Sequence, residues 1–286
     1  MRLDRTIFLV AGIVAIALAG CSKKEEILDG ERFDVRTPLA DTLYSDAALV
    51  SEGPVGNLAV AIKLPKARNM TRWTHRNGGP DHLLGNISLN GELTRLWSAD
   101  IGAGNDAKHA ITSDPIVAGG LIFTLDSSSR VMAHSLIGAA VWVRDLTPPS
   151  DKTKDASGGG LAYDDGVVYA TTGFGEVTAL RAKDGAPLWT QKLNAPVTAP
   201  PTVHKGRVYV ISRDNQAWSL KAKNGRIDWQ QQSTAESAGL MGGASAAVAG
   251  RNVVLPFSSG EMIAAMTRNG LRVWSVAVSG SRRGQG

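Results

Sequence analysis

The sequence has one cysteine, few aromatic residues and no strong cluster of charged residues. Cys21 is the one cysteine, so the chain can form neither an internal disulfide nor the paired-cysteine sites of zinc and thiol redox proteins. Aromatic residues make up 6% of the sequence, whereas glycine is abundant at 32 residues. The net charge of +5 is spread along the chain, while nucleic-acid-binding proteins cluster their basic residues on one face. These features disfavour nucleic-acid binding and favour a turn-rich β protein.

The N-terminus carries a targeting pattern. Arg2 and Arg5 precede an apolar run over residues 6–19, which is too short for a membrane-spanning helix and is typical of a secretory signal. The run ends in Leu-Ala-Gly-Cys, which resembles the bacterial lipobox, in which the cysteine is lipidated and becomes the mature N-terminus. We therefore expect a signal peptide over 1–20 and a lipid anchor at Cys21. Ser22 follows the cysteine, and the lipobox resemblance then implies delivery to the outer membrane.

The segment that follows is expected to be a tether. Residues 21–72 begin with a charge-dense stretch, and prolines and glycines interrupt any regular element further along. A flexible linker of this length lets a globular body stand away from the membrane surface. The body itself is expected over residues 73–286.

A repeated hairpin dominates that body. Its best copy is ALRAKDGAPLW over residues 179–189, and similar copies end at Trp229 and Trp274, with a degraded copy ending at Trp142. The four tryptophans are 47, 40 and 45 residues apart. A repeat of this size with a hairpin in each unit indicates a propeller or a similar array. We interpret the Asp-Gly and Asn-Gly pairs as two-residue turns in which both residues have positive φ.

Each repeat divides into four short strands, which predicts an all-β fold built as a partial β-propeller. One four-stranded meander cannot bury both of its faces, so such units stack face to face. Full blades are expected over about 113–145, 158–192, 200–231 and 244–277, and Trp97 lies in a closing strand over about 92–101. The residues expected to be structural are Trp97, Trp142, Trp189, Trp229, Trp274, Gly185, Gly225 and Gly270.

The repeat is similar to the tryptophan-docking repeat of the pyrroloquinoline-quinone enzymes, in which eight blades form one ring. Together with the lipobox, the run 73–102 and the loops 173–177, 238–245 and 258–261, the sequence most resembles the outer membrane protein assembly factor B family. The resemblance covers residues 18–21 and about 73–286. It implies that this sequence holds about four of eight blades and is truncated at its C-terminus.

The resemblance also implies a function without catalysis, cofactor or metal. The family comprises scaffold lipoproteins of the β-barrel assembly machinery at the periplasmic face of the outer membrane, which bind the barrel-forming subunit and help deliver unfolded outer-membrane proteins. The family contacts its partner through inter-blade loops, which match Leu240, Met241 and Gly242 here, with a second contact expected beside Arg282 and Arg283. A Leu-Arg pair that some members carry is absent, and packing of the loop into the local core is the alternative.

Two other functions stay open at this point. A quinoprotein dehydrogenase would need oxygen ligands converging on a hard cation, whereas most aspartates here lie at expected turns. A propeller that binds a small signalling ligand in its channel is the other possibility. The five histidines are scattered without metal-ligand spacing, and we interpret them as surface or turn residues.

Overall fold

A computed structural model describes residues 62–89, 91–233 and 243–278, and all regular secondary structure in these ranges is β. Blade 1 comprises β1 (Ile116–Ala118), β2 (Leu121–Leu125), β3 (Arg130–Ser135) and β4 (Ala140–Asp145). Blade 2 comprises β5 (Gly159–Asp164), β6 (Val167–Thr172), β7 (Glu176–Arg181) and β8 (Pro187–Lys192). Blade 3 comprises β9 (Thr202–His204), β10 (Arg207–Ile211), β11 (Gln216–Lys221) and β12 (Ile227–Gln232). Blade 4 comprises β13 (Ala247–Ala249), β14 (Asn252–Pro256), β15 (Glu261–Met266) and β16 (Arg272–Ala277).

The blades are four antiparallel meanders whose strands pair in chain order. The first strands of successive blades lie next to one another, because β5 contacts β1 and β9, and β9 contacts β13. The predicted all-β propeller architecture is therefore confirmed for the described residues. Within these ranges we find no helix that could span a membrane.

The hydrophobic core lies between blades rather than within them. Phe123 of blade 1 packs in one cluster with Leu180 of blade 2, and both side chains are fully buried. Equivalent clusters join blade 2 to blade 3 and blade 3 to blade 4. Each blade thus covers the apolar face of its neighbour, which is how a stack of thin sheets acquires a core.

The first turn of a blade is a tight one. Asp164 pairs with Val167, and the two residues between them, Asp165 and Gly166, have φ angles of 42° and 79°. Positive φ at both central positions is the type I′ geometry that matches the twist of the flanking strands.

The third turns differ from the prediction of two-residue hairpins. The backbone N–H of Arg181 donates to the carbonyl of Ala186, so the loop holds four residues, and among them only Gly185 has positive φ, at 66°. Asp184 instead uses its carboxylate, which accepts from the N–H of Ala186 at 3.1 Å and from the Arg181 guanidinium at 2.9 Å. The Asp-Gly pair was therefore wrongly interpreted: the aspartate stabilises the loop through its side chain, and only the glycine needs the left-handed region.

The second turns each end in a residue with positive φ: Ser129, Gly175, Asn215 and Gly260. Ser129 has φ of 63°, and its buried hydroxyl has no hydrogen-bond partner within the described ranges.

We expect Ser129→Gly to raise the free energy of unfolding by about 1 kcal/mol, because glycine removes the left-handed strain and the buried hydroxyl. Urea unfolding checks this, with Ser128→Gly as the control at a position without positive φ. Equal effects of the two substitutions would contradict the explanation.

The outer-strand tryptophans dock on the third turn of the next blade. In each case the indole N–H donates to a turn carbonyl and the ring covers the turn glycine. The pairs are Trp142 with Ala182 (2.8 Å) and Gly185, Trp189 with Ala222 (2.8 Å) and Gly225, and Trp229 with Thr267 (3.1 Å) and Gly270. A Cβ atom built on any of these glycines would lie 2.5 to 2.7 Å from the ring. The repeat motif is therefore a joint between adjacent blades.

Trp97 makes the same contact with blade 1. Its indole N–H donates to the carbonyl of Leu136 at 2.9 Å, and its ring covers Gly138. The residues around it form no strand, although a strand was predicted over about 92–101. Trp97 therefore docks without the backbone hydrogen bonds of a strand, because the contact of its ring with Gly138 and one indole hydrogen bond hold it in place. Trp274, on the outer strand of blade 4, is 43% exposed.

A segment ahead of the first blade runs along the first strands of all four blades, and we call Trp73–Pro80 the strap. In each first strand, the last residue but one donates its backbone N–H to the strap. These donors are Val117 to the carbonyl of Trp73 (2.8 Å), Tyr163 to that of Thr74 (2.9 Å), Val203 to Nε2 of His75 (3.0 Å) and Val248 to the carbonyl of Pro80 (2.8 Å). The strap satisfies backbone groups on strand edges that have no other strand beside them.

Candidate functional site: two clefts on the connector face

The predicted partner-contact residues Leu240, Met241, Gly242, Arg282 and Arg283 lie outside the described residues, as does the predicted lipidation site at Cys21. The structure does describe both flanks of the loop over residues 234–242. This loop connects β12 to β13, so it leaves the propeller at the end that carries the other blade-to-blade connectors and the second turns. We call this end the connector face, and the end with the first and third turns the turn face.

An apolar cleft of about 170 Å³ lies at the junction of blades 3 and 4, and Gly243, the first described residue after position 242, lines it. We define the apolar cleft by Ala199, Ile211, Ala244, Pro256 and Phe257, which line it together with a few polar residues. Ile211 and Phe257 are buried and form its floor. The cleft is therefore an apolar surface that includes Gly243, which directly follows the residues that the family resemblance selects in the sequence.

Hydrogen bonds between the blades fix the shape of this cleft. The Asn215 side-chain oxygen accepts from the backbone N–H of Ser258 at 3.1 Å and from its hydroxyl at 2.7 Å. The hydroxyl of Ser233, the last described residue before the loop, donates to Glu261 at 2.6 Å. These bonds join the connector end of blade 3 to the second turn and the third strand of blade 4.

A second cleft, of about 330 Å³, adjoins the first on the connector face. We call it the cationic cleft and define it by Lys108, His109, Lys154, Thr198 and Arg213. Thr198 and Arg213 also line the apolar cleft, so the two share a wall. In the described part of the chain, Lys108, Lys154 and Arg213 form no ion pair.

His109 holds one rim of the cationic cleft in place. Its Nδ1 lies 2.8 Å from both Asp106 carboxylate oxygens, and its Nε2 lies 3.0 Å from the Lys154 carbonyl oxygen. Because both partners are acceptors, the geometry favours the imidazolium form. The bond to the Lys154 carbonyl, and next the bond to Asp106, raises the pKa of His109. The backbone N–H of Lys108, and next the His109 side chain, lowers the pKa of Asp106 to about 2.

The polar groups of this face are candidates for a nucleophile and for metal ligands. Ser157, the one hydroxyl-bearing residue of the cationic cleft besides Thr198, uses its Oγ to bond the backbone of Ala110. Among the described residues, no group of three or more histidine, cysteine, aspartate or glutamate side chains is placed to hold a metal ion. What the face presents is unpaired positive charge beside an apolar surface.

Two of the five histidines are not surface residues, contrary to the expectation from the sequence. His75 is 2% exposed and His134 is 3% exposed, so neither is a surface residue. Burial, and next the charge of neighbouring His82, lowers the pKa of His75 to about 4. His75 Nε2 therefore accepts from Val203, while Nδ1 lies 2.9 Å from the Thr74 hydroxyl. The Thr-His pair in a Gly-rich stretch was visible, but its buried partner is 128 residues away, so no local pattern could reveal it.

Comparison with known protein families identifies the family of this chain. A family model described as outer membrane protein assembly factor BamB matches residues 130–286, which is more than half of the chain. The chain belongs to the BamB family. The matched region runs from the third strand of blade 1 to the last residue and includes residues 234–242.

Individual relatives are more distant. A BamB of Yersinia pestis is 25% identical over 194 residues, which are 65% of this chain and 48% of that protein. A quinohemoprotein alcohol dehydrogenase, ADH IIB of Pseudomonas putida, is 31% identical over 155 residues, which are 48% of this chain and 22% of that protein. The chain spans about half or less of the length of the curated relatives it matches.

A solved structure shows the shared architecture. The quinohemoprotein alcohol dehydrogenase from Comamonas testosteroni superposes with a TM-score of 0.58 at 17% identity, over 72% of this chain and 41% of that one. At this identity the likeness shows the propeller fold alone.

Proposed function

We propose that the chain is a non-enzymatic scaffold of the outer-membrane β-barrel assembly machinery, which binds the barrel-forming subunit and assists the delivery of unfolded outer-membrane proteins. Membership of the BamB family over residues 130–286 is the observation that carries this proposal. The two clefts support it, because they present binding surfaces on the face from which the partner loop departs.

The proposed contact is made by Leu240, Met241 and Gly242. Their loop is bounded by Ser233 and Gly243, and Gly243 itself lines the apolar cleft. Apolar side chains that a partner buries at the centre of an interface contribute most of its binding energy, while the surrounding residues exclude water. Arg282 and Arg283 are proposed as a second contact, through charge.

The proposed location is the periplasmic face of the outer membrane. Cys21 follows Leu-Ala-Gly and is proposed to carry the acyl chains that anchor the protein. Several acyl chains on one residue bury enough methylene groups for a stable anchor. The tether over residues 21–72 then lets the blades reach a partner embedded in the same membrane.

Affinity purification of the full-length protein from detergent-solubilised outer membranes tests the function. We expect the barrel-forming subunit to co-purify, and Met241→Asp to reduce its recovery at least about tenfold, because burying an unpaired charge opposes binding by more than 1.4 kcal/mol. Ile137→Asp is the matched control, since Ile137 is 80% exposed on the turn face. Absence of the subunit from a correctly folded sample would refute the proposal.

A quinoprotein dehydrogenase is the second candidate, favoured by the 31% identity to the Pseudomonas putida enzyme. Thermal unfolding with and without pyrroloquinoline quinone and Ca²⁺ decides between them. A ligand that binds the folded state at 100 times its Kd stabilises it by about 2.7 kcal/mol, which is easily measured. We expect no shift in Tm, and a clear upward shift would favour the enzyme.

A further inference from the structure

We propose that the apolar and cationic clefts form one receptor for an extended peptide segment in which an acidic residue lies two positions from an apolar one. This inference rests on the proposed function, since it names the kind of segment that the scaffold would bind. It concerns described residues of the connector face and not the loop over residues 234–242.

The charge of the cationic cleft selects an acidic group. Lys108, Lys154 and Arg213 line it without an ion pair in the described ranges, and Asp155 is the carboxylate among the lining residues. The Asp155 carboxylate already accepts from the backbone N–H of Lys152 at 2.9 Å. A carboxylate from outside would therefore meet several cationic donors, and charge-assisted hydrogen bonds of this kind are stronger than neutral ones.

The cations are held on connected backbone. His109 joins the loop that carries Lys108 to the connector that carries Lys154, through its 3.0 Å contact with the Lys154 carbonyl. Arg213 is tied to the next connector, because its backbone N–H donates to the carbonyl of Pro196 at 2.8 Å. Bonds between the loops reduce the entropy lost when a ligand orders the site.

The apolar cleft selects the neighbouring side chain. A dry cavity of about 150 Å³ lined by apolar side chains holds a benzene molecule, so a cleft of about 170 Å³ accepts one leucine or phenylalanine side chain. Arg213 and Thr198 stand in the wall between the two clefts. A ligand that fills both clefts must therefore present its carboxylate and its apolar group on the same side, as residues two apart on an extended chain do.

A peptide fits better than a free small anion. Exposed ion pairs contribute only about 0.2–1 kcal/mol each and are screened by physiological salt, so the cationic cleft alone gives weak binding. Apolar burial next to the charges adds affinity only for a ligand that reaches both clefts. A segment of another protein carries both groups on one backbone.

Fluorescence anisotropy of the full-length protein with labelled synthetic peptides tests the receptor. The probe is a twelve-residue Gly/Ser peptide with a central Leu-Ser-Asp sequence, in which Leu and Asp are two residues apart, and the controls carry Asn in place of Asp, or Ala in place of Leu. We expect both controls to bind about tenfold more weakly, which corresponds to about 1.4 kcal/mol. We also expect only the acidic peptide to lose affinity when NaCl rises from 50 to 500 mM.

Charge reversal locates the site. Lys154→Glu with Arg213→Glu is expected to weaken the acidic peptide about tenfold or more and to leave the Asn peptide unchanged, because two attractions become repulsions. Lys183→Glu, on the turn face, is the control and should change neither affinity. All three residues are exposed, so an unchanged Tm confirms that the variants fold.

Three results would overturn the inference. The first is equal binding of the acidic and Asn peptides, and the second is an unchanged affinity of the double variant for the acidic peptide. The third is self-association of the protein that the double variant abolishes, because the occupant of the clefts would then be a second copy of the chain. Co-purification of the barrel-forming subunit is measured separately. If it persists while the peptide result fails, the proposed function stands and only the receptor is rejected.

Discussion

Gly225→Ala is expected to lower the free energy of unfolding by about 3 kcal/mol. A non-glycine residue in the left-handed region costs about 1–2 kcal/mol, and Gly225 has φ of 71°. The added Cβ would also lie 2.5 Å from Cε3 of Trp189, and forcing extra volume into a packed site costs about 1–3 kcal/mol. The substitution thus strains the turn and displaces the ring that joins blade 2 to blade 3.

Gly206→Ala is the matched control for this prediction. Gly206 has φ of 74°, but a Cβ atom there meets nothing within 4 Å. Gly206→Ala is expected to lower the free energy of unfolding only by the backbone strain, about 1 kcal/mol. The difference in unfolding free energy between the two variants therefore measures the tryptophan contact. Urea unfolding gives both values. Equal losses in the two variants would show that the glycine is required by the turn alone and not by the docking.

Lowering the pH from 7 to 4 is expected to remove about 3 kcal/mol of stability through His75. The pKa of this residue is about 4 in the folded protein and about 6.5 in an unfolded chain. The neutral form is thus favoured by folding, so its contribution is complete above about pH 6.5 and is lost as the pH falls towards 4. Protonation of Nε2 would also end its bond to the N–H of Val203 and release the strap from blade 3.

His75→Gln isolates this effect. The glutamine amide oxygen can take the place of Nε2 as an acceptor for Val203, and it does not titrate between pH 4 and 7. We expect similar stability to the wild type at pH 7 and a shallower loss towards pH 4, whereas His75→Ala loses about 2–3 kcal/mol at pH 7 by leaving a buried donor unpaired. The measurement is urea unfolding across this pH range. Parallel pH profiles for the wild type and His75→Gln would contradict the role of His75.

The blades could be predicted because their determinants are local and repeated. In the copy that ends at Trp189, β-branched runs alternate with glycine turns, and the tryptophan always follows its glycine by four residues. The docking of Trp142 on Gly185 follows from stacking identical units, since each tryptophan has a turn glycine one blade ahead. The length of the third turn was wrong because an Asp-Gly pair suits both a two-residue and a four-residue loop.

The strap and the clefts could not be predicted, because they depend on contacts between distant segments. His75 meets Val203 only after three blades have stacked, and the same stacking turns an apparently exposed polar residue into a buried one. The cationic cleft is assembled from separate loops that carry Lys108, Lys154 and Arg213. In the sequence these residues form no cluster, so the diffuse net charge concealed a local concentration of positive charge.

The most direct test of the central claim, that the connector face binds the barrel-forming subunit, is site-specific photocrosslinking of the full-length protein in intact cells. A photoreactive amino acid is placed at position 241, two residues before Gly243 of the apolar cleft, and at position 137 on the turn face as the control. The account predicts a crosslink to the barrel-forming subunit from position 241 and none from position 137. No crosslink from position 241 in a folded, membrane-anchored protein, or equal crosslinks from both positions, would contradict it.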